Sequence, residues 1–162
     1  MNRKKITIEI ELIVYDFDGV MTDNKVYVDQ NGNELVQVNR ADGLGISEIK
    51  NIGINQIILS TEKNKVVSKR ANKLNIPCMY GVDNKKNILQ KYCKKNNINL
   101  DNVLYVGNDV NDKEVMKKVG FPCCPNDAHN DIKNISTMIF DKNGGEGIVR
   151  ELFDIIKRNQ GD

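Results

Sequence analysis

Four short runs of mostly apolar residues are spaced along the chain and are rich in isoleucine and valine. Continuous apolar runs of this length are typical of strands that are buried on both faces of a parallel sheet. The pattern therefore predicts four such strands, at Leu12–Tyr15, Gln56–Leu59, Val103–Val106 and Thr137–Phe140.

Between these runs, apolar residues recur at helical spacing. The pattern predicts helices that include Ile46–Lys50 before Gly53, Val66–Leu74, Ile88–Tyr92, and Val115–Val119 before Gly120. Strands that alternate with helices in this way are joined by right-handed crossovers. We therefore predict a doubly wound, three-layer α/β domain around a parallel sheet.

One segment departs from this alternation directly after the first strand. Lys25–Asp29 and Glu34–Val38 alternate polar and apolar residues, and Gln30–Asn33 between them contains an Asn-Gly turn signal. These features predict a β-hairpin over about residues 25–38. It is either a flap over a site or an ordinary edge ribbon.

Length, charge and cysteine usage narrow the class of protein. The 162 residues fit a single domain over residues 1–162. Because 24 basic and 22 acidic residues are spread along the chain, we expect no nucleic-acid partner. Glu9 and Glu11 interrupt the apolar N-terminal stretch, which excludes a signal peptide or membrane span there. Four cysteines without a C-x-x-C pair predict buried thiols in a reducing, cytoplasmic setting.

Acidic residues follow two of the predicted strands. Asp16 and Asp18 come directly after the first strand, and the chain then turns at Gly19. Two close carboxylates repel unless a cation lies between them, so this pair indicates a divalent metal, for which Mg²⁺ is the natural candidate. Oxygen ligands also follow the third strand, at Asn108, Asp109 and Asp112. Each motif by itself also fits a turn or a helix cap.

A hydroxyl pair and a lysine stand at two other strand ends. Ser60 and Thr61 follow the second strand and precede a helix predicted to begin near Glu62, whose free amides could bind phosphate. Lys85 begins a helix, where its charge opposes the helix dipole, so a functional lysine would explain its position. The alternatives are an N-cap and a solvated surface lysine.

Together these motifs resemble, in the same order, the four motifs of the haloacid dehalogenase superfamily of phosphohydrolases. They are Asp16–Asp23, Ser60–Thr61, Lys85 and Gly107–Asp112. The form of the first motif, the hairpin, Ala41–Ile46 and Gly144–Glu151 resemble the branch that lacks a cap domain. That branch contains 3-deoxy-octulosonate 8-phosphate phosphatases, phosphatases of nine-carbon keto-deoxy sugar acid 9-phosphates, and a domain of some sialic-acid cytidylyltransferases. The resemblance extends from about Ile10 to about Ile156.

The resemblance implies a mechanism and a set of roles. Asp16 would be the nucleophile that forms an aspartyl-phosphate, and Asp18 the general acid and base. Ser60 and Lys85 would stabilise the transferred phosphoryl group. Mg²⁺ would be bound by Asp16, by the backbone carbonyl of Asp18, and by Asn108 or Asp109, with Asp112 in the same cluster. Most active relatives have Asp at the position of Asn108, and the lost charge should weaken Mg²⁺ binding.

The resemblance also implies a substrate class and an assembly. The pair Glu62-Lys63 is more similar to nine-carbon than to eight-carbon phosphatases, which favours a sialic-acid-like 9-phosphate, with 3-deoxy-octulosonate 8-phosphate of lipopolysaccharide biosynthesis next. Relatives are homotetramers in which the hairpins assemble. The residues expected to contact the sugar phosphate are Gly19, Arg40, Thr61, Glu62, Lys63 and Arg70.

Two other classes of protein fit part of the pattern. A phosphoacceptor receiver domain is also doubly wound, with an acidic cluster and a lysine. The order of motifs disfavours it, because the Asp-x-Asp pair comes first and Lys85 precedes the strand before Asp109. The second alternative is a phosphatase-like assembly domain without activity, associated with a sialic-acid cytidylyltransferase, and Asn108 is the residue that favours it.

Overall fold

The computed structural model describes residues 10–159, which form an α/β fold around a six-stranded parallel sheet. The order of strands across the sheet is β5-β4-β1-β6-β7-β8. The strands are β1 Leu12–Tyr15, β4 Asn55–Leu59, β5 Cys78–Met79, β6 Val103–Val106, β7 Phe121–Cys124 and β8 Met138–Ile139. The predicted doubly wound sheet is confirmed.

Six helices cover the two faces of the sheet. They are α1 Arg40–Asn51, α2 Val66–Leu74, α3 Lys85–Lys95, α4 Lys113–Met116, α5 Asn130–Ile135 and α6 Ile148–Asn159. Helices α1, α2 and α6 share a core with Ile13 and Tyr15 of β1, whereas α3, α4 and α5 share a core with Leu12 and Val14. Because successive side chains of β1 point to opposite faces, this one strand contributes to both cores.

The predicted hairpin is present but shorter than its sequence pattern. Its strands are β2 Tyr27–Val28 and β3 Glu34–Leu35, which pair antiparallel to each other and not with the main sheet. A bridge between Thr22 and Val38 closes its base. The turn is built on Asp29, whose Oδ1 accepts hydrogen bonds from the backbone amides of Asn31 and Asn33.

Several details differ from the sequence predictions. Strands β5 and β7 were not predicted, and β8 is shorter than the predicted run. Three of the cysteines are buried as predicted, while Cys78 is half-buried. Within residues 10–159, no helix has the length and apolar character needed to cross a membrane. The prediction about the N-terminal stretch rests partly on residues 1–9, which lie outside the described residues.

The topology places a crevice at the carboxyl ends of the central strands. Strands β1 and β6 are neighbours in the sheet. After β1 the chain continues to β4 on one side, and after β6 it continues to β7 on the other side. In doubly wound folds, ligands bind at the carboxyl ends of strands at such a switch point. The loops that follow β1 and β6 therefore meet where a site is expected.

Candidate active site

A buried lysine joins the loops at this crevice. Lys85 is the first residue of α3, and its Nζ lies 2.8 Å from Asp16 Oδ1 and 2.7 Å from Asp112 Oδ1. All three side chains are buried. Burial alone would lower the pKa of Lys85, but Asp16 and Asp112 outweigh it and raise this pKa, so Lys85 is a stable cation. The alternative of a solvated surface lysine is wrong.

Asp16 is held in one orientation by two donors. Its Oδ1 accepts a hydrogen bond of 2.7 Å from the Phe17 amide in addition to the contact with Lys85. Burial, and then the nearby charge of Asp112, raise the pKa of Asp16, whereas Lys85 opposes that rise. Its surroundings therefore disfavour the charged form of Asp16, and an additional cation would stabilise that form.

The carboxylate of Asp112 faces Lys85 and is fully engaged within the protein. Its Oδ1 accepts hydrogen bonds from Lys85 Nζ and, at 2.7 Å, from the Tyr105 hydroxyl. Its Oδ2 accepts a hydrogen bond of 3.0 Å from the backbone amide of Asn108. Asp112 was predicted in the metal cluster, but its contacts make it the partner of the lysine.

The side-chain amide of Asn108 contacts one oxygen of Asp16 and one of Asp18. One atom of the Asn108 side-chain amide lies 2.9 Å from the carbonyl oxygen of Asp18 and 3.2 Å from Asp16 Oδ2. Hydrogen bonding assigns this atom as Nδ2, which donates to both oxygens. Turning the amide over replaces it with Oδ1, which then lies 2.9 Å and 3.2 Å from two other oxygens.

These separations fit a small divalent cation. Oxygen ligands about 2.1 Å from Mg²⁺ and at right angles to each other lie about 3.0 Å apart. Gly19, with φ of +80°, leaves the space that the Asn108 amide fills, because a Cβ at position 19 would overlap that amide. The residues that could hold the cation are therefore Asp16, Asp18 through its carbonyl, and Asn108.

The donor set differs from the predicted cluster of carboxylates. Among residues 10–159, no three His, Cys, Asp or Glu side chains are grouped so that they could hold a metal ion. Asp109 is half-buried, and its Oδ1 accepts a hydrogen bond of 2.7 Å from the Val110 amide. Asp109 therefore caps the turn that follows, which is the alternative noted for this motif.

The side chain of Asp18 opens into a cleft of about 220 Å³ under the hairpin. Burial, and then the charge of Glu62, raise the pKa of Asp18, and Glu34 of the hairpin adds to this effect. A raised pKa favours the protonated form that a general acid needs. The cleft is lined by Asp18, Asn24, Val26, Glu34, Val36, Glu62, Asn64 and Val66.

The segment after β4 is a turn and not the start of a helix. Ser60 is buried, and its Oγ accepts a hydrogen bond from the Glu62 amide, which leaves the hydroxyl hydrogen free to donate. Helix α2 begins only at Val66, so the predicted convergence of helix amides near Ser60 is wrong. Thr61 is exposed, and Glu62 lines the cleft.

The basic residues predicted to contact a sugar acid lie outside the cleft lining. Arg40 and Lys63 are exposed, and Arg70 donates a hydrogen bond of 3.0 Å to the Asn39 carbonyl. Two participants in the site were not predicted from the sequence, Tyr105 and Glu34. Tyr105 lies within an apolar run, where it signals a core residue, and Glu34 lies in a hairpin whose position over the site depends on the fold.

Comparison with known proteins identifies the family of this chain. Residues 47–152 match the family model of haloacid dehalogenase-like hydrolases. The 3-deoxy-D-manno-octulosonate 8-phosphate phosphatase KdsC of Salmonella typhi is 36% identical over 153 residues, which cover 94% of this chain and 81% of that protein.

Solved structures give the same result. A hydrolase of the haloacid dehalogenase family from Streptomyces avermitilis has a TM-score of 0.89 and 41% identity, over 91% of this chain and 84% of its own. The 3-deoxy-D-manno-octulosonate 8-phosphate phosphatase of Moraxella catarrhalis, solved with magnesium, phosphate and KDO, has a TM-score of 0.88 and 30% identity, over 93% and 87%. The chain thus belongs to the capless branch of the haloacid dehalogenase-like hydrolases and is a phosphoric monoester hydrolase.

Proposed function

We propose that this enzyme hydrolyses the phosphate ester of a keto-deoxy sugar acid through an aspartyl-phosphate on Asp16, with Mg²⁺ as its metal. The observation that carries the proposal is the arrangement at the switch point. Lys85 is fixed on Asp16 Oδ1, and the side-chain amide of Asn108 contacts both Asp16 Oδ2 and the Asp18 carbonyl. The magnesium in the Moraxella catarrhalis phosphatase supports the choice of metal.

The residues of the chain divide the reaction into two steps. A carboxylate oxygen of Asp16 attacks phosphorus, and the ester P–O bond breaks as Asp18 gives its proton to the leaving alkoxide. Water then attacks phosphorus of the aspartyl-phosphate and gives a proton to Asp18, which releases inorganic phosphate and restores both carboxyl groups. Lys85 and the Ser60 hydroxyl supply positive charge and a donor toward the phosphoryl oxygens, and bound Mg²⁺ would add further positive charge.

Two substrates within this class have support from different observations. The Salmonella typhi and Moraxella catarrhalis relatives are named as phosphatases of 3-deoxy-D-manno-octulosonate 8-phosphate, which favours this eight-carbon substrate. The Glu62-Lys63 pair favours a nine-carbon, sialic-acid-like 9-phosphate, and Glu62 lines the cleft next to Asp18. We retain the nine-carbon substrate as the proposal and the eight-carbon substrate as the second candidate.

A screen of phosphate release over eight- and nine-carbon keto-deoxy acid phosphates, with Mg²⁺, tests the proposal. We expect turnover by the wild type and nearly complete loss in Asp16→Asn. Equal release by the two proteins would show that Asp16 is not the nucleophile. If neither protein hydrolysed any phosphoester, the alternative of an assembly domain without activity would replace this proposal.

The substrate preference has its own test. Replacing Glu62 by Gly together with Lys63 by Arg introduces the pair that is usual in eight-carbon enzymes. We expect the ratio of kcat/KM for the nine-carbon over the eight-carbon substrate to fall at least tenfold, the ratio produced by about 1.4 kcal/mol. A ratio that stays unchanged would remove the basis for the nine-carbon proposal.

We also propose that the hairpins of four copies assemble and cover the open cleft. The hairpin exposes a set of apolar side chains that solvent would otherwise surround, Val26, Tyr27, Val28 and Leu35. Several exposed apolar side chains on one short ribbon are typical of an interaction site. An assembled hairpin would also exclude water from the reaction at Asp16.

A further inference from the structure

The hydroxyl of Tyr105 ends at the catalytic cluster from within the core. Tyr105 lies on β6, opposite Val14 of β1 in the sheet, and is fully buried among apolar residues. Its hydroxyl donates a hydrogen bond of 2.7 Å to Asp112 Oδ1. Burial, and then the charge of Asp112, raise the pKa of Tyr105, so the hydroxyl keeps the proton that it donates.

The oxygen that Tyr105 contacts is the same one that holds the lysine. Asp112 Oδ1 lies 2.7 Å from Lys85 Nζ, and Lys85 Nζ in turn lies 2.8 Å from Asp16 Oδ1. The lysine is therefore shared between two carboxylates of like charge. Its position depends on how strongly and in which direction each carboxylate attracts it.

The rest of Asp112 is fixed by the loop after β6. Its Oδ2 accepts a hydrogen bond from the backbone amide of Asn108. Its side chain packs on Gly107, where a Cβ would lie only 2.7 Å from Asp112 Cγ. Tyr105 is the remaining donor to Asp112 that the structure gives besides Lys85 and Asn108. Without its hydroxyl, Oδ1 would have Lys85 as its one donor among the described residues.

We propose that Tyr105 is a positioning residue for phosphoryl transfer, whose hydroxyl saturates Asp112 Oδ1 and thereby keeps Lys85 in contact with Asp16. Loss of this hydroxyl leaves an unshared negative charge on Asp112, which draws Lys85 away from the nucleophile. The proposal rests on the proposed role of Asp16 as nucleophile. Tyr105 itself touches neither substrate nor the reacting atoms, and it acts through Asp112.

The first test compares Tyr105→Phe with Tyr15→Phe. Tyr15 is a matched control, because it is fully buried on the adjacent strand β1 and its hydroxyl donates a single hydrogen bond of 2.9 Å, to Gln56 Oε1, on the opposite face of the sheet. In Mg²⁺-dependent phosphate release from p-nitrophenyl phosphate and from the sugar acid phosphates, we expect Tyr105→Phe to lower kcat about tenfold, the effect of one hydrogen bond to a charged group, with KM unchanged within about twofold. Tyr15→Phe should keep both constants within about twofold.

A double-mutant cycle with Asp112→Asn tests whether the effect passes through Asp112. If it does, Tyr105→Phe should lower kcat little further once Asp112 is neutral. Additive losses, or equal losses in Tyr105→Phe and Tyr15→Phe, would overturn the proposal and leave Tyr105 as a core residue.

The crystal structure of Tyr105→Phe gives a readout that needs no activity. We expect Lys85 Nζ to move out of contact with Asp16 Oδ1, to more than about 3.5 Å, while it stays on Asp112. An unchanged contact of Lys85 with both carboxylates would overturn the proposal. Failure of the nucleophile assignment is distinguished by Asp16→Asn, which would then release phosphate like the wild type whatever the position of Lys85.

Discussion

The amide of Asn108 stands where a carboxylate would add a negative charge beside Asp16 Oδ2 and the Asp18 carbonyl. We predict that Asn108→Asp lowers the Mg²⁺ concentration for half-maximal activity about tenfold, because the affinity of oxygen sites for hard cations rises with ligand charge. The measurement is phosphate release over a Mg²⁺ titration. Asp109→Asn is the control, since Asp109 caps the next turn, and it should leave the Mg²⁺ dependence unchanged. Equal Mg²⁺ dependence of Asn108→Asp and the wild type would show that this side chain does not bind the metal.

How far single residues can be predicted from sequence depends on whether their role is local. Asp16 and Lys85 were predicted because each stands at a recognisable strand or helix end. The role of Asp112 was misassigned, because its orientation is set by Tyr105 and Lys85, which approach it from separate elements. Tyr105 gave no signal, since a buried hydroxyl within an apolar strand looks the same in the sequence as an ordinary core residue.

Among the elements, helices α1 and α6 are joined by a buried carboxylate. Asp42 in the first turn of α1 accepts a hydrogen bond of 3.0 Å from the Val149 amide at the start of α6, while its Oδ2 has no hydrogen-bond partner among the described residues. Gly45 permits the close approach, since a Cβ there would lie 2.7 Å from the backbone of Val149. Burial raises the pKa of Asp42 from 3.8 to about 6.

This raised pKa predicts a pH-dependent stability. The folded state holds the proton of Asp42 more tightly than the unfolded state, so ionised Asp42 lowers the free energy of unfolding above about pH 6, by on the order of 3 kcal/mol, and the penalty disappears as the pH falls toward 4. Asp42→Asn keeps an oxygen for Val149 and carries no charge. We expect it to be more stable than the wild type at about pH 7 and equal at about pH 4, by urea unfolding. A difference that does not change with pH would contradict this account.

Two strands and the start of one helix depart from the sequence predictions, for different physical reasons. The sequence did not reveal two strands. β5 has only two residues, and β7 contains Pro122 and two cysteines in place of β-branched residues. Helix α2 begins late because Ser60, Glu62 and Asn64 each accept a hydrogen bond from the amide two residues further on. Such local bonds offer the backbone an alternative to helical hydrogen bonds, and propensity at Glu62 could not reveal that.

For the molecule as a whole, the exposed apolar side chains of the hairpin are the basis of the proposed assembly. Tyr27 and Leu35 expose 76% and 69% of their surfaces. We predict that replacing both by Ser converts the proposed tetramer into smaller species in light scattering and lowers phosphate release, because the cleft of each copy would lose its cover. Leu44→Ser is the matched control, since Leu44 is 62% exposed but lies on α1. A double variant with the mass of the wild type would contradict assembly through the hairpins.

We expect Asp16 to accept a phosphoryl group beside a cation bound by oxygens from two strand ends. The most direct measurement is a crystal structure of the protein with Mg²⁺ and beryllium trifluoride, which mimics an acyl-phosphate and requires no knowledge of the sugar. Beryllium should be bonded to a carboxylate oxygen of Asp16, and Mg²⁺ should contact Asp16, the Asp18 carbonyl and the side-chain oxygen of Asn108. Beryllium on another residue, or a cation that contacts neither Asp16 nor Asn108, would contradict this expectation.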